Sequence, residues 1–184
     1  MNIYDKRSII LNKKVASPAF ELYQTIIKQS RRPEFYNILG VPDTLNGRFE
    51  VLALHVFFVM YRLGQDPSLL DTARALSEEV VKDIDRNLRE IGVGDLSVGR
   101  KVKELTEGLY GRFGAYKDGV EGDDNCLYEA LRRNVYSEIA VEEEKIKSLT
   151  NYIRQKVEVL ATLNVSKFEK GIIDFGEVLS SVGE

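Results

Sequence analysis

This sequence predicts an all-α fold: a single globular domain, residues 1–184, of about six to eight helices around a central apolar helix at 44–63. Three observations carry the expectation. Apolar residues recur at intervals of three and four over long stretches. No segment alternates apolar and polar residues between turn signals as a strand would. All four prolines fall at or before position 67, which leaves the rest of the chain free for long uninterrupted helices.

Taken in order, Ser17-Pro18 pairs an N-cap side chain with a residue whose missing N–H is harmless in a first turn, and predicts a weak helix over 17–30. Arg32-Pro33 opens a short helical turn that ends at Gly40. The stretch 44–63 is apolar nearly all round, as a helix wrapped by others must be. Its run Val51–Tyr61 is broken only by His55, and it falls short of the roughly 20 apolar residues that a membrane span needs. Asp66-Pro67 then opens a helix to residue 91. Its apolar face is Leu69, Ala73, Leu76, Val80, Ile84, Leu88 and Ile91, and Gly92 ends it in a left-handed conformation. Asp95 or Ser97 caps the next helix, whose face is Val98, Val102, Leu105, Leu109, Phe113 and Tyr116. A weak helix at 123–136 follows, then a strong one through Ile146, Leu149, Ile153, Val157 and Leu160, and a last weak one at 168–181. The softest points are the first dozen residues, the stretch Lys117–Asp124 and the last few residues; none reads as a domain linker.

A hydrophobic content of 43% with 30% charged residues is that of a globular chain. The net charge of −3 excludes a broadly basic DNA-binding surface. Charge is nevertheless uneven. Residues 1–32 carry seven basic residues against two acidic ones, an excess of five, so the remainder must carry −8. Residues 1–14 form a flexible basic leader suited to an anionic membrane surface or ribosomal RNA. Cys126 is the single cysteine, so no internal disulfide forms, and no secretory signal opens the chain. The expected location is cytoplasmic, peripheral at the inner membrane.

Chemistry is sparse. His55 is the only histidine and sits mid-way along the most apolar helix, where a core histidine held by one hydrogen bond is the expected role. Glu50 with His55 has the wrong spacing for a di-iron Glu-x-x-His unit. Gly-Val-Gly-Asp at 92–95 has neither the Gly-Lys-Ser/Thr ending of a P-loop nor a strand before it. Asp123-Asp124 is half of a paired-carboxylate magnesium site without its second half. No catalytic residue, cofactor or metal ligand is expected.

Two features remain. Asp83, Asp85, Arg86, Arg89 and Glu90 crowd the end of one helix, and Arg100, Lys101 and Lys103 begin the next. Gly108, Gly111 and Gly114 make a smooth strip at a spacing of three that admits a close-packed helix, expected to be an internal one.

The run Asp83-Ile84-Asp85-Arg86-Asn87-Leu88-Arg89-Glu90-Ile91-Gly92-Val93-Gly94-Asp95-Leu96-Ser97-Val98-Gly99-Arg100-Lys101-Val102-Lys103, continued by Tyr110-Gly111-Arg112-Phe113-Gly114-Ala115-Tyr116 and preceded by Arg48-Phe49-Glu50, resembles the ubiquinol–cytochrome c chaperone family over about residues 15–165. The resemblance implies a non-enzymatic assembly factor for respiratory complex III that binds newly made cytochrome b. Mitochondrial members act with a partner protein near the ribosomal exit. This chain, lacking a transit peptide and a long N-terminal extension, looks like a bacterial member. Asp83, Asp85, Arg86, Arg89, Asp95, Arg100, Lys103, Tyr110, Arg112 and Tyr116 are then the expected partner-binding residues, with no small-molecule substrate. Two other readings stay open: a helical-bundle enzyme acting on an isoprenoid or lipid with Asp83, Asp85 and Asp123 on a metal, and a ribosome- or RNA-binding module resting on the basic leader.

Overall fold

The computed structural model describes residues 17–137 and 139–178, so the basic leader expected at 1–14 lies outside the described residues. Within them the chain forms α1 (Pro18–Ser30), α2 (Glu34–Asn37), α3 (Leu45–Gly64), a 3-10 turn at Pro67–Leu69, α4 (Leu70–Glu90), α5 (Asp95–Glu121), α6 (Asp124–Asn134), α7 (Glu143–Thr162) and α8 (Val165–Glu169). No strand occurs among the described residues.

The caps follow from side-chain chemistry. Ser17, Thr44, Asp66 and Asp123 each accept a hydrogen bond from a backbone N–H in the turn that follows, and Pro18 and Pro67 occupy first-turn positions. The helix α3 packs against α1, α4, α5 and α7. Val51, Leu54, Val59 and Leu63 on it are wholly buried, which makes it the central helix that its unbroken apolar run demanded.

The apolar faces of α4 and α7 turn inward as the periodicity required, Val157 only in part, and one residue departs from them outright. Ala73, Leu76, Val80, Ile84 and Leu88 face the core, but Ile91, the last residue of that expected face, is 63% exposed. It follows the last helical residue, and the backbone turns away before the stripe can continue. That turn is a Schellman closure: Gly92 has φ +88°, its N–H donates to the carbonyl of Arg89, and the N–H of Val93 donates to that of Leu88.

Two expectations need correction. No side chain caps α5; its N-cap is Gly94, and Asp95 is the first helical residue, its carboxylate turned instead to Arg89. The helix expected at 168–181 does not form over the described residues beyond Glu169, and 179–181 lie outside them. The helix α8 stops at Glu169, and Gly171 and Gly176 take φ +71° and +68°. A Cβ on Gly171 would stand 2.6 Å from the carbonyl oxygen of Pro18, so the backbone crosses α1 at close range there. Beyond it the chain is a strap whose burial alternates: Gly171, Ile173 and Phe175 face inward while Ile172, Asp174 and Gly176 face solvent. Gln29 and Arg32 donate to the carbonyl of Gly176, and Lys156 to that of Glu177, so side chains from α1, the turn after it and α7 hold the strap where no helix ladder can.

Candidate interaction surface

The charged hairpin of α4 and α5 is where the sequence placed its partner-binding residues, and the structure divides them into internal and external sets. Tyr116 is wholly buried, with its ring against Phe57, and cannot touch a partner. Arg112 faces inward as well. Its Nε donates to both carboxylate oxygens of Glu50 at 2.9 and 2.8 Å, its Nη2 donates at 2.5 Å, and its Nη1 donates to the carbonyl of Gly108. Glu50 is fully buried on α3, so this bidentate pair joins α3 to α5, and its hydrogen bonds raise the affinity of Arg112 for its proton. The expectation that Arg112 is a surface charge for a partner is therefore corrected: it neutralises a carboxylate that the packing of α3 has taken out of water.

Asp83 is also spoken for. It accepts hydrogen bonds from the hydroxyl of Tyr23 on α1 at 2.8 Å and from Asn87, and it pairs with Arg86. Burial, and then the bond to Asp83, push the Tyr23 phenol well above its ordinary range, so it stays a donor. Asp85 pairs with Arg89, which reaches on to Asp95 at 2.5 Å and so straps the two helices together across the turn. Arg86, Arg100 and Lys103 are exposed, and the last two pair along α5 with Glu104 and Glu107. Tyr110 is 47% exposed and shares a 2.7 Å hydrogen bond with Ser77. It stands at the edge of a small apolar cleft between α3, α4 and α5, lined by Val56, Met60, Val80, Leu109 and Phe113.

The glycine strip does not serve internal packing, contrary to expectation. A Cβ on Gly111 or on Gly114 would meet nothing within 4 Å, so both lie open on the outward face of α5. Close approach inside the fold happens further along α5, at Gly119, where a Cβ would stand 2.7 Å from the Cα of Leu127 on α6.

The carboxylates of the metal-enzyme reading serve separate structural ends: Asp83 holds Tyr23, Asp85 holds Arg89, and Asp123 caps α6 through the N–H of Cys126. No three potential ligands gather among the described residues. His55 is a core residue, as expected, but with two partners rather than one. Its Nδ1 donates to the carbonyl of Val51 and its Nε2 accepts from the hydroxyl of Tyr152, both at 2.7 Å, while Gln29 donates to that hydroxyl. The rings of Phe35, Phe58 and Phe175 meet it edge to face, and burial lowers its pKa from 6.5 to about 4.

Residues 37–175 match the family model for the ubiquinol–cytochrome C chaperone. The chain belongs to this family. Among the relatives of this family member, the ubiquinol–cytochrome-c reductase complex assembly factor 1 of Xenopus laevis is 26% identical over 152 residues, covering 82% of this chain and 76% of the relative. The human protein of the same description is 24% identical over 152 residues, 82% of this chain and 51% of that protein. The mitochondrial protein CBP3 of Saccharomyces cerevisiae is 25% identical over 147 residues, 77% of this chain and 44% of that one. The chain thus spans about half the length of the human and yeast relatives. The crystal structure of the Cbp3 homolog from Brucella abortus superposes with a TM-score of 0.79 at 32% identity, covering 88% of this chain and 90% of that one. No described helix of this family member is long and apolar enough to cross a membrane.

Sequence reasoning missed the pairing of Glu50 with Arg112, although a lone carboxylate in the first turns of an apolar helix was a signal that a cation must meet it. It also missed the exposure of Ile91 and Leu96, which periodicity cannot show at a turn.

Proposed function

We propose that this chain is a non-enzymatic assembly factor for respiratory complex III, and that it holds a helix of newly made cytochrome b against the outward face of α5. Family membership and the names of the relatives support the assembly role. The observation that carries the surface is Gly111 and Gly114, open to solvent within a helix of 27 residues. Each glycine there lowers helix stability by about 0.5–1 kcal/mol relative to alanine, and no internal neighbour uses the space. A visiting helix can use it, because the missing side chains let two backbones approach closely. Tyr110 and the apolar cleft behind it supply contact area on one side, and Asp85 and Arg86 supply polar partners toward the hairpin. The protein works at the cytoplasmic side of the inner membrane, peripheral to it.

The test is affinity capture from detergent-solubilised native membranes, probed for cytochrome b, with wild type against Gly111→Leu/Gly114→Leu. Leucine at open helical positions preserves or improves folding, so lost capture with an undiminished melting temperature supports the surface. Undiminished capture overturns it. Normal complex III levels in a deletion strain would overturn the assembly role itself.

A further inference from the structure

Four aromatic rings surround the fully buried His55, and three of them stand on helices: Phe35 on α2, Phe58 on α3 and Tyr152 on α7. The fourth, Phe175, belongs to the strap, its ring centroid 5.2 Å from that of the imidazole. Beyond Ile172, whose N–H donates to the carbonyl of Lys167, no strap residue makes a backbone-to-backbone hydrogen bond among the described residues. Side chains hold it instead. Gln29 donates to the Gly176 carbonyl at 3.2 Å and Lys156 to the Glu177 carbonyl at 2.7 Å, while Arg32 pairs with the Glu177 carboxylate at 2.6 Å. The root of the strap is fixed, because Gly171 lies against the backbone of Pro18. Ile173 to Val178 is therefore the one piece of the wall around His55 that can leave without opening a helix.

The groups beneath it favour water. Lys156 is 3% exposed, an ammonium whose hydrogen bonds go to the Glu177 carbonyl and to Gln155, and burial lowers its affinity for its proton. Burial likewise lowers the pKa of His55 from 6.5 to about 4, and the charge of Lys156 acts in the same direction. The other charges on this side of the molecule are Arg32 and Glu34, which act on Tyr152, and Asp174 and Glu177 of the strap, which act on Lys156.

We infer that residues 173–178 are an acid-released latch: the strap swings out as a unit from its root at Gly171, Arg32 is its catch, and protonation of His55 drives it open. The direction follows from linkage. Closed, the imidazole takes a proton only near pH 4; wetted by opening, it does so near 6.5. Opening thus takes up a proton between those values, and the open fraction rises as the pH falls, by at most about tenfold per unit. Lys156 adds to the release because its ammonium leaves a dry site, and protonation of Glu177 frees Arg32 in the same direction. Opening uncovers a groove floored by Phe35, Phe58 and Tyr152 while α3 and α7 stay in place. None of this involves the outward face of α5.

The test is thiol labelling of the full-length chain in a Cys126→Ser background, since Cys126 is exposed and is the only cysteine. Ile173→Cys and Val178→Cys place a thiol at either end of the inward side of the strap, and Val59→Cys, wholly buried on α3, reports global unfolding. Rates with dithiodipyridine, which reacts in acid, are divided by those of the urea-unfolded chain at the same pH. The two strap thiols should label within about threefold of each other and at least about a hundredfold faster than Val59→Cys. Their rates should climb between pH 6.5 and 5 by up to about tenfold per unit, and that slope should vanish with His55→Leu. Arg32→Ala should raise both strap rates about tenfold at pH 7.5, a readout that does not require the histidine variant. Strap thiols no faster than Val59→Cys would overturn the inference, as would Val178→Cys labelling alone, which is fraying from one end. A slope that survives His55→Leu, or strap rates unmoved by Arg32→Ala, would do the same. Cytochrome b capture plays no part in these readouts, so they stand or fall apart from the client surface.

Discussion

Arg112 on α5 and Glu50 on α3, 62 residues apart in sequence, form a bidentate ion pair whose carboxylate is entirely out of water. Removing the cation alone leaves a buried charge without a partner. Arg112→Ala should therefore destabilise the fold by about 3–5 kcal/mol, toward the lower figure because the guanidinium is partly exposed and water can enter. Replacing both residues together, as in Glu50→Leu/Arg112→Met, should cost markedly less than Arg112→Ala. Urea unfolding of the single and double variants measures this. Equal losses would show that the pair acts through packing and not through charge.

His55 gives the fold a dependence on acid. The buried imidazole takes up a proton only near pH 4, whereas in the unfolded chain it does so near 6.5. Between those values the unfolded state binds more protons, so this contribution is complete above pH 6.5 and is lost progressively as the pH falls toward 4. The loss amounts to about 3 kcal/mol, at no more than about 1.4 kcal/mol per pH unit. His55→Leu should flatten that part of the stability–pH curve, even if it lowers stability at neutral pH. Denaturant midpoints at several pH values would show whether the slope follows the histidine.

Gly92 tests backbone strain free of packing. Its φ is +88°, and a Cβ there would meet nothing within 4 Å. Gly92→Val should cost about 1–2 kcal/mol, and Gly92→Ala somewhat less, purely from the left-handed conformation. Thermal melts should fall by a few degrees for each. A neutral Gly92→Val would mean that the turn has another accessible closure.

Glycines of one helix should respond with opposite sign. Gly111→Ala and Gly114→Ala at open positions of α5 should each raise stability by about 0.5–1 kcal/mol. Gly119→Ala on the same helix should destabilise it by about 1–3 kcal/mol, because its Cβ must push against the backbone of α6 at Leu127. Three melting curves decide the matter.

How much was legible in the sequence differs from element to element. The faces of α4 and α7 could be read directly, since burial of one stripe leaves a period of three and four in any amphipathic helix. The N-caps at Ser17 and Asp66 were legible too, because each acts on an N–H group two or three residues away, whereas Thr44 and Asp123 were not picked out as caps. The strap at 171–178 was not legible. Its backbone groups are satisfied by Gln29, Arg32 and Lys156, which are distant in sequence, and nothing local announces such a partner. The candidate surface divides in the same way. The charges of the hairpin could be named, but Arg100 and Arg112 are alike as letters, and only the position of Glu50 sends one of them inward.

By itself, then, the sequence determined the helical class, the central place of α3, the Gly92 turn and the family, all of which rest on short-range periodicity, local backbone preference or a run of unusual residues at fixed spacing. The tertiary structure alone decided which charges are buried, which glycines are open, and that Ile91 and Leu96 stand in solvent. The reason is that exposure is a relation between segments. A residue has a rotamer and a helical phase of its own, but whether its outward side meets water depends on what the rest of the chain has brought alongside it.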